Sequence, residues 1–282
     1  MNSKKTSKVG AVIQIGILLL LVIAAINYQT LEDDYTLATY KPTPQVLAFE
    51  SRVMLTRSAQ AILDRTQPQF DAKLNFNTDC DTQPHELELG CFYRGRIFVL
   101  TIDNASLAPE MDVVAAHELL HAAWANLGSS ERDSLTKELE RVYAGISDAD
   151  LRARMAGYAK SEPGEEANEL HSILGTEFAQ LSPMLESHYA KYFADRSQVV
   201  KAHASYQSVF DSRRTQLENE LATIRTEKGQ LAVINRQLET YRSESQIASY
   251  NGLVPRQNEL VDAINSQIST YRSGVDEYNA LS

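Results

Sequence analysis

The chain has 282 residues, which is enough for one domain of catalytic size together with additional segments. Its apolar fraction of 43% and charged fraction of 23% are ordinary for a folded protein and argue against a disordered chain. The formal net charge of −10 argues against a nucleic-acid binder, because phosphate binding needs a concentrated basic surface and the sequence has none.

The N-terminus carries a pattern typical of membrane targeting. Three lysines within the first eight residues precede an apolar run from Val9 to Ile26. This run is just long enough to cross the hydrocarbon layer, and the lysines predict a cytoplasmic N-terminus. A cleaved signal peptide is the alternative, although a clean Ala-x-Ala cleavage site is lacking. We expect a single-pass membrane anchor with an extracytoplasmic domain, or a secreted protein if the segment is cleaved.

The segment after the anchor predicts a linker, one helix and two strands. Residues 28–44 are polar and acidic and end in two prolines, which is typical of a linker. Apolar residues recur at helical spacing from Gln45 to Leu63, whereas Phe70 to Phe76 alternates as a half-buried strand does. Arg96 to Asp103 is rich in β-branched and aromatic residues and predicts a second strand.

Cys80 and Cys91 are the two cysteines of the chain. A nearby pair of cysteines in an oxidising compartment is more often bridged than free. A metal site that also includes His85 is the alternative, but the spacing lacks the Cys-x-x-Cys pattern of structural zinc sites. We therefore predict a disulfide, which agrees with an extracytoplasmic location.

The strongest local signal is His117-Glu118-Leu119-Leu120-His121, on a helix predicted from Ala108 to Leu127. Residues four apart lie on one helix face, so the two imidazoles can converge on one ion. Glu118 lies about 100° around the helix and can reach a water molecule bound to that ion. Zinc lowers the pKa of such a water to about 7, and a carboxylate can take its proton.

This segment resembles the HExxH motif of zincin metallopeptidases. In the metzincin branch a third histidine follows the motif, but Trp124 and Leu127 occupy the corresponding positions here. The resemblance therefore implies the gluzincin branch, in which a glutamate from a later helix is the third ligand. In zincins an edge strand beside the active-site helix pairs with the substrate backbone, and Arg96 to Asp103 is the candidate for that role.

Glu169 is our choice for the third ligand. Asn168-Glu169 resembles the Asn-Glu pair that supplies this ligand in several gluzincins. His171, Glu177 and Glu165 are the alternatives. The position four residues after Glu169, where many gluzincins have an aspartate that supports a zinc histidine, is Ile173. The residues that orient the ligands are therefore unassigned, and Ser172, Thr176 and Glu177 are candidates. Tyr158 or His171 could stabilise the oxyanion.

The C-terminal segment differs from the rest of the chain. In its first part, apolar residues repeat every seven positions. A stretch containing Asn251-Gly252 and Pro255 follows, and after it a second apolar series has a spacing of three and four residues. The first series comprises Phe210, Leu217, Ile224, Leu231 and Leu238, and the second Val261, Ile264, Ile268, Tyr271, Val275 and Tyr278. Two heptad helices joined by a turn predict an antiparallel coiled-coil hairpin.

Together these signals predict a mainly helical α+β protein with a small sheet. The expected regions are a cytoplasmic stub and transmembrane anchor at 1–27, a linker at 28–44, a zincin-like domain at 45–195 and the hairpin at 196–282. The expected function is zinc-dependent hydrolysis of peptides or proteins, with Glu118 as catalytic base. The alternative is a metal-stabilised membrane scaffold without enzymatic activity, which binds a protein partner or itself through the coiled coil.

Overall fold

A computed structural model describes residues 35–71, 73–80, 89–102, 104 and 107–281. These residues are mainly helical and contain one three-stranded sheet, which confirms the expected fold class at this level. The predicted anchor and the first part of the predicted linker lie outside the described residues. Among the residues described, no helix is both long and apolar enough to cross a membrane.

The predicted helix from Gln45 to Leu63 is two helices, α1 (Pro44–Arg52) and α2 (Arg57–Thr66). Between them Met54 adopts a positive φ of 53°, and Leu55 forms an isolated β-bridge with Phe193. Thr56 then begins α2, because its side chain accepts a hydrogen bond from the Ala59 amide. The single-helix prediction was wrong because periodicity alone does not reveal a tertiary contact that interrupts a helix.

The sheet contains β1 (Gln69–Asp71), β2 (Gly90–Tyr93) and β3 (Arg96–Leu100). Strand β3 is central, parallel to β1 and antiparallel to β2. Ile97 and Val99 face the main core, whereas Phe98 faces a smaller cluster on the other side of the sheet. The expectation that Arg96 to Asp103 forms an edge strand is therefore wrong, and β1 and β2 are the edge strands of the described sheet.

The prediction of a strand continuing to Phe76 is also wrong, because helix α3 (Lys73–Asp79) follows β1. Phe76 and Cys80 are four residues apart and pack together with Phe98. The alternation in the sequence resembled a strand, but the buried positions follow the spacing of a helical turn. The predicted disulfide between Cys80 and Cys91 is confirmed, with Cα atoms 5.9 Å apart, and it joins the end of α3 to β2.

Five described helices follow the sheet in chain order before the C-terminal hairpin. They are α4 (Ala108–Ala125), α5 (Ser129–Gly145), α6 (Ala149–Ser161), α7 (Glu166–Glu177) and α8 (Pro183–Tyr189). Helix α4 begins with Pro109 in its first turn and is buried along most of its length. Its closest neighbour is α7. At their crossing a Cβ atom added to Gly175 would lie 2.5 Å from Leu120 Cδ1 and 2.7 Å from Tyr189, so this approach requires glycine.

The Arg196 side chain caps the C-terminal end of α7. Its side chain is buried and donates hydrogen bonds to the carbonyl oxygens of Gly175, Phe178 and Ala179. It also pairs with the carboxylate of Glu186 on α8. These contacts satisfy carbonyls that no helical amide can reach.

The described residues fall into two compact units, which divide between His203 and Ala204. The second unit contains most of α9 (Ser197–Ser243) and all of α10 (Ile247–Leu281). Phe210 packs against Tyr278, and Asn235 accepts a hydrogen bond from Gln257. Early residues of α9 therefore contact late residues of α10, which is the antiparallel arrangement that the heptads predicted.

The turn of this hairpin is not at the predicted place. It lies between Ser243 and Ile247, where Ser245 has a φ of 59°. Asn251, Gly252 and Pro255 instead lie within α10. Pro255 removes one amide donor from α10 and its ring crowds the carbonyl oxygen of Asn251. The packing of the two arms offsets this cost.

The role of Arg196 can be tested by substitution with leucine. Arg196→Leu leaves the carbonyl oxygens of Gly175, Phe178 and Ala179 without their side-chain donor, so we expect the free energy of unfolding to fall by about 3 kcal/mol. Arg141→Leu is the control, because Arg141 forms an exposed pair with Glu138, and we expect it to change stability little. Urea unfolding followed by circular dichroism measures both, and equal losses would contradict the assigned role.

Candidate metal centre

His117, His121 and Glu169 meet at the crossing of α4 and α7. The two histidines are one helical turn apart, and their ring centroids are 4.7 Å apart. Glu169 Oε2 lies 3.6 Å from His117 Nε2, and Glu169 Oε1 lies 3.3 Å from His121 Nε2. One donor atom from each residue lies within 4.8 Å of the others, so the group could hold a metal ion.

Two of the separations between these atoms are close to those of ligands on one small ion, although each involves a different oxygen of Glu169. Zinc binds imidazole nitrogen and carboxylate oxygen at about 2.0–2.2 Å, which places neighbouring ligand atoms about 3.3–3.5 Å apart. The two distances from the carboxylate to the imidazoles are close to that separation. Two imidazoles and one carboxylate are also the donor set of several catalytic zinc sites, in which a fourth position remains for water or substrate.

The pKa shifts of His121 and Glu169 favour the protonation states that bind metal. Burial alone would lower the pKa of His117, but its hydrogen bond with Glu169 and the nearby carboxylates outweigh that effect and raise it instead. Burial and the adjacent His117 lower the pKa of His121 to about 4, so its imidazole is neutral at pH 7. Burial alone would raise the pKa of Glu169, but hydrogen bonds from His117 and Tyr158 and the charges of the two histidines lower it below its usual value. A carboxylate and a neutral imidazole are the forms that bind metal.

Asn168 and Ser172 orient the His121 ring. His121 Nδ1 lies 2.9 Å from Asn168 Oδ1 and 3.3 Å from Ser172 Oγ. Because an amide oxygen only accepts, Nδ1 carries the proton and Nε2 presents its lone pair towards Glu169. The sequence analysis included Ser172 among its candidates but not Asn168. The Asn-Glu pair was recognised only for its glutamate, although a residue beside a ligand on the same helix could also have been considered.

Glu118 lines one cleft together with the three donor residues. The cleft has a volume of about 880 Å³, and Glu118 is 6% exposed. Strand β2 borders it. A Cβ atom added to Gly90 would lie 3.0 Å from Glu118 Oε1 and 2.4 Å from Val114 Cγ1, so only glycine lets this strand lie so close to α4.

Tyr158, which was predicted to stabilise the oxyanion, also lines this cleft. Its hydroxyl forms a hydrogen bond with Glu169. Burial, reinforced by the negative charge of Glu169, raises the pKa of Tyr158 above its usual value. The phenol therefore stays protonated and can act as a hydrogen-bond donor at neutral pH.

The other candidate residues do not belong to the group of three donors. His171 Nε2 is 2.9 Å from His188 Nε2, and its ring is stacked near Trp124. Glu177 forms two hydrogen bonds with Arg154, one of them 2.8 Å long. Glu165 is exposed and accepts a hydrogen bond from Asn168. Thr176 donates to the carbonyl oxygen of Ser172 within its own helix.

Comparisons with models of known protein families, with curated proteins and with solved structures found no match for this chain. The resemblance to zincins therefore depends on the sequence motif alone. The arrangement of donors and cleft is an independent observation from the structure.

Replacing Asn168 tests the orientation of His121. Asn168→Ala removes the acceptor of His121 Nδ1, and we expect zinc affinity to fall about 10–100-fold, as is common when such a partner is lost. Competition with a chromophoric chelator measures the affinity. Asp133→Asn, on the exposed rim of the cleft, is the control. Unchanged affinity in Asn168→Ala would show that Asn168 does not position the ring.

The buried pair of His171 and His188 predicts an acid-sensitive fold. Burial and the nearby Lys191 lower the pKa of His188 to about 4, against about 6.5 in an unfolded chain. Between these values the unfolded chain binds more protons, so the free energy of unfolding is fully maintained above pH 6.5 and falls as the pH drops towards 4. Urea unfolding after chelator treatment, at pH 7.5, 5.5 and 4.5, should show a shallower decline in His188→Asn than in the wild type. Equal declines would contradict this origin.

Proposed function

We propose that this chain is a membrane-anchored zinc metallopeptidase of the gluzincin type, which hydrolyses peptide bonds outside the cytoplasm. The observation that carries the proposal is the position of Glu118. This buried carboxylate lines the same cleft as His117, His121 and Glu169 and belongs to the same helix as the two histidines. A structural metal site has no need of such a group beside it.

Zinc is the metal that best suits these donors. Imidazole nitrogens favour zinc and other late transition metals, whereas magnesium and calcium prefer a shell of oxygen atoms. Three protein ligands also favour a catalytic over a structural site, because structural zinc has four. The adjoining cleft gives water and substrate access to the fourth position.

The chemistry divides among the metal and two side chains. When bound, zinc supplies a Lewis acid that polarises the substrate carbonyl and acidifies a water molecule. Glu118 accepts a proton from that water and later delivers it to the leaving amine. Tyr158, which remains a phenol at neutral pH, would exchange its hydrogen bond to Glu169 for one to the oxyanion that develops on the carbonyl oxygen.

Strand β2 supports a peptide as the substrate. It is an edge strand of the described sheet, and its residues Gly90 to Phe92 line the cleft. An extended peptide can add to such an edge through main-chain hydrogen bonds, which are largely independent of its sequence. The role expected for the strand Arg96 to Asp103 thus passes to β2, because β3 already has a partner on each side.

The disulfide and the N-terminal sequence support the proposed location. A disulfide persists where the environment is oxidising, and the bridge between Cys80 and Cys91 lies in the same unit as the metal centre. The apolar run from Val9 to Ile26 would anchor this unit to the membrane, with its lysine-rich flank in the cytoplasm.

A scaffold without enzymatic activity is the second candidate, and the hairpin of α9 and α10 favours it. Long antiparallel coiled coils commonly mediate assembly, and this one would bind a protein partner or a second copy of the chain. On this account the metal would only stabilise the fold. The two proposals differ in what happens when Glu118 is changed.

The peptidase proposal is tested on the full chain, purified in mild detergent and loaded with zinc. We expect cleavage of casein or of a peptide library by the wild type, and a loss of at least about 1,000-fold in Glu118→Gln, with zinc retained, because the proton acceptor is removed. Glu169→Ala should bind zinc more weakly and lose activity as well. Zinc binding without cleavage in the wild type would favour the scaffold.

A further inference from the structure

A second, apolar pocket adjoins the candidate catalytic cleft. It has a volume of about 310 Å³ and lies between α5, α6 and α7. Leu139, Met155 and Leu170 are buried at 0%, 7% and 3% exposure and contribute its apolar lining. At its outer side the Arg152 guanidinium lies 5.2 Å from the centre of the Tyr143 ring. Its surface is mainly hydrocarbon, and three charged residues, one from each helix, also contribute to the lining.

This pocket shares two lining residues with the cleft. Thr136 of α5 and Ala167 of α7 line both spaces. Ala167 directly precedes Asn168 and Glu169, the residues that orient and provide the candidate ligands. A substrate chain that extends from the cleft past Thr136 and Ala167 would therefore arrive at the pocket. Sites that bind small ligands or side chains are typically concave and apolar with few polar groups, as this pocket is.

The position of the pocket limits which part of a substrate could fill it. Leu170 follows Glu169 by one residue and projects about 100° away from it around α7. The pocket and the metal centre therefore lie on different faces of this helix. A helix with its side chains is about 10 Å wide, which corresponds to about three residues of extended chain.

We propose that this pocket is a specificity subsite, which binds one large apolar side chain of the substrate, such as leucine, methionine or phenylalanine, two to four residues from the scissile bond. The proposal rests on the proposed peptidase function and adds a substrate class to it. Discrimination comes from apolar surface removed from water, so peptides with a small or charged residue at that position are cleaved more slowly.

Two substitutions on α6 provide the test and its matched control. Ala156 is exposed and lines the pocket, so Ala156→Phe would fill it without disturbing the core. Ala153 is an exposed alanine of the same helix, and Ala153→Phe adds the same side chain outside the pocket. Met155→Ala enlarges the pocket and should shift the preference towards tryptophan. Zinc content and circular dichroism verify that each variant is folded and loaded.

The readout is the cleavage profile of a degenerate dodecapeptide library, determined by mass spectrometry with the zinc-loaded full chain. In the wild type we expect enrichment of large apolar residues at one position two to four residues from the cut. Ala156→Phe should reduce that preference about 10-fold or more, within the range for lost apolar contacts in a binding pocket, whereas Ala153→Phe should retain it.

The outcomes separate this inference from the function on which it rests. If the wild type cleaves the library but Ala156→Phe and Met155→Ala leave the profile unchanged, the subsite is refuted and the peptidase function stands. If the wild type and Glu118→Gln both leave the library intact, the peptidase function is refuted, and the subsite with it.

Discussion

The packing of α4 against α7 brings the donors of the candidate metal centre together. His117 and His121 belong to one helix and Glu169 to the other, and the sequence separates them by more than forty residues. Gly175 sets the depth of this packing, because any larger residue would collide with Leu120 and Tyr189. Arg196 holds the end of the same helix by binding its last carbonyls. The metal centre therefore depends on contacts that are themselves remote from the metal.

The sheet contributes a second constraint, on the other side of the cleft. Gly90 lets β2 approach Glu118, and the disulfide at Cys91 joins this strand to α3. The two observations concern opposite faces of one strand, since Gly90 faces α4 and Cys91 packs with Phe76 and Phe98. The wall beside the proposed catalytic base is thus fixed by a glycine on one face and a covalent bond on the other.

Local signals predicted the parts of the molecule that local physics determines. The spacing of His117 and His121 on a helix, the disulfide and the heptads of the hairpin follow from periodicity and residue chemistry. The interrupted helix at Leu55, the short helix at Phe76 and the hairpin turn at Ser245 were missed, because each depends on a contact distant in sequence or on a backbone conformation that composition does not specify. Asn168 was missed as a positioning residue because its partner, His121, becomes a neighbour only through the fold.

Zinc K-edge X-ray absorption of the full chain, loaded with one equivalent of zinc, tests the central claim most directly. The account predicts two imidazole nitrogens and one carboxylate oxygen, all at about 2.0–2.2 Å, with a further light atom from solvent in the fourth position. Glu169→Ala should lose the carboxylate contribution. A site with sulfur ligands or with four protein ligands, or a spectrum unchanged in Glu169→Ala, would contradict the account.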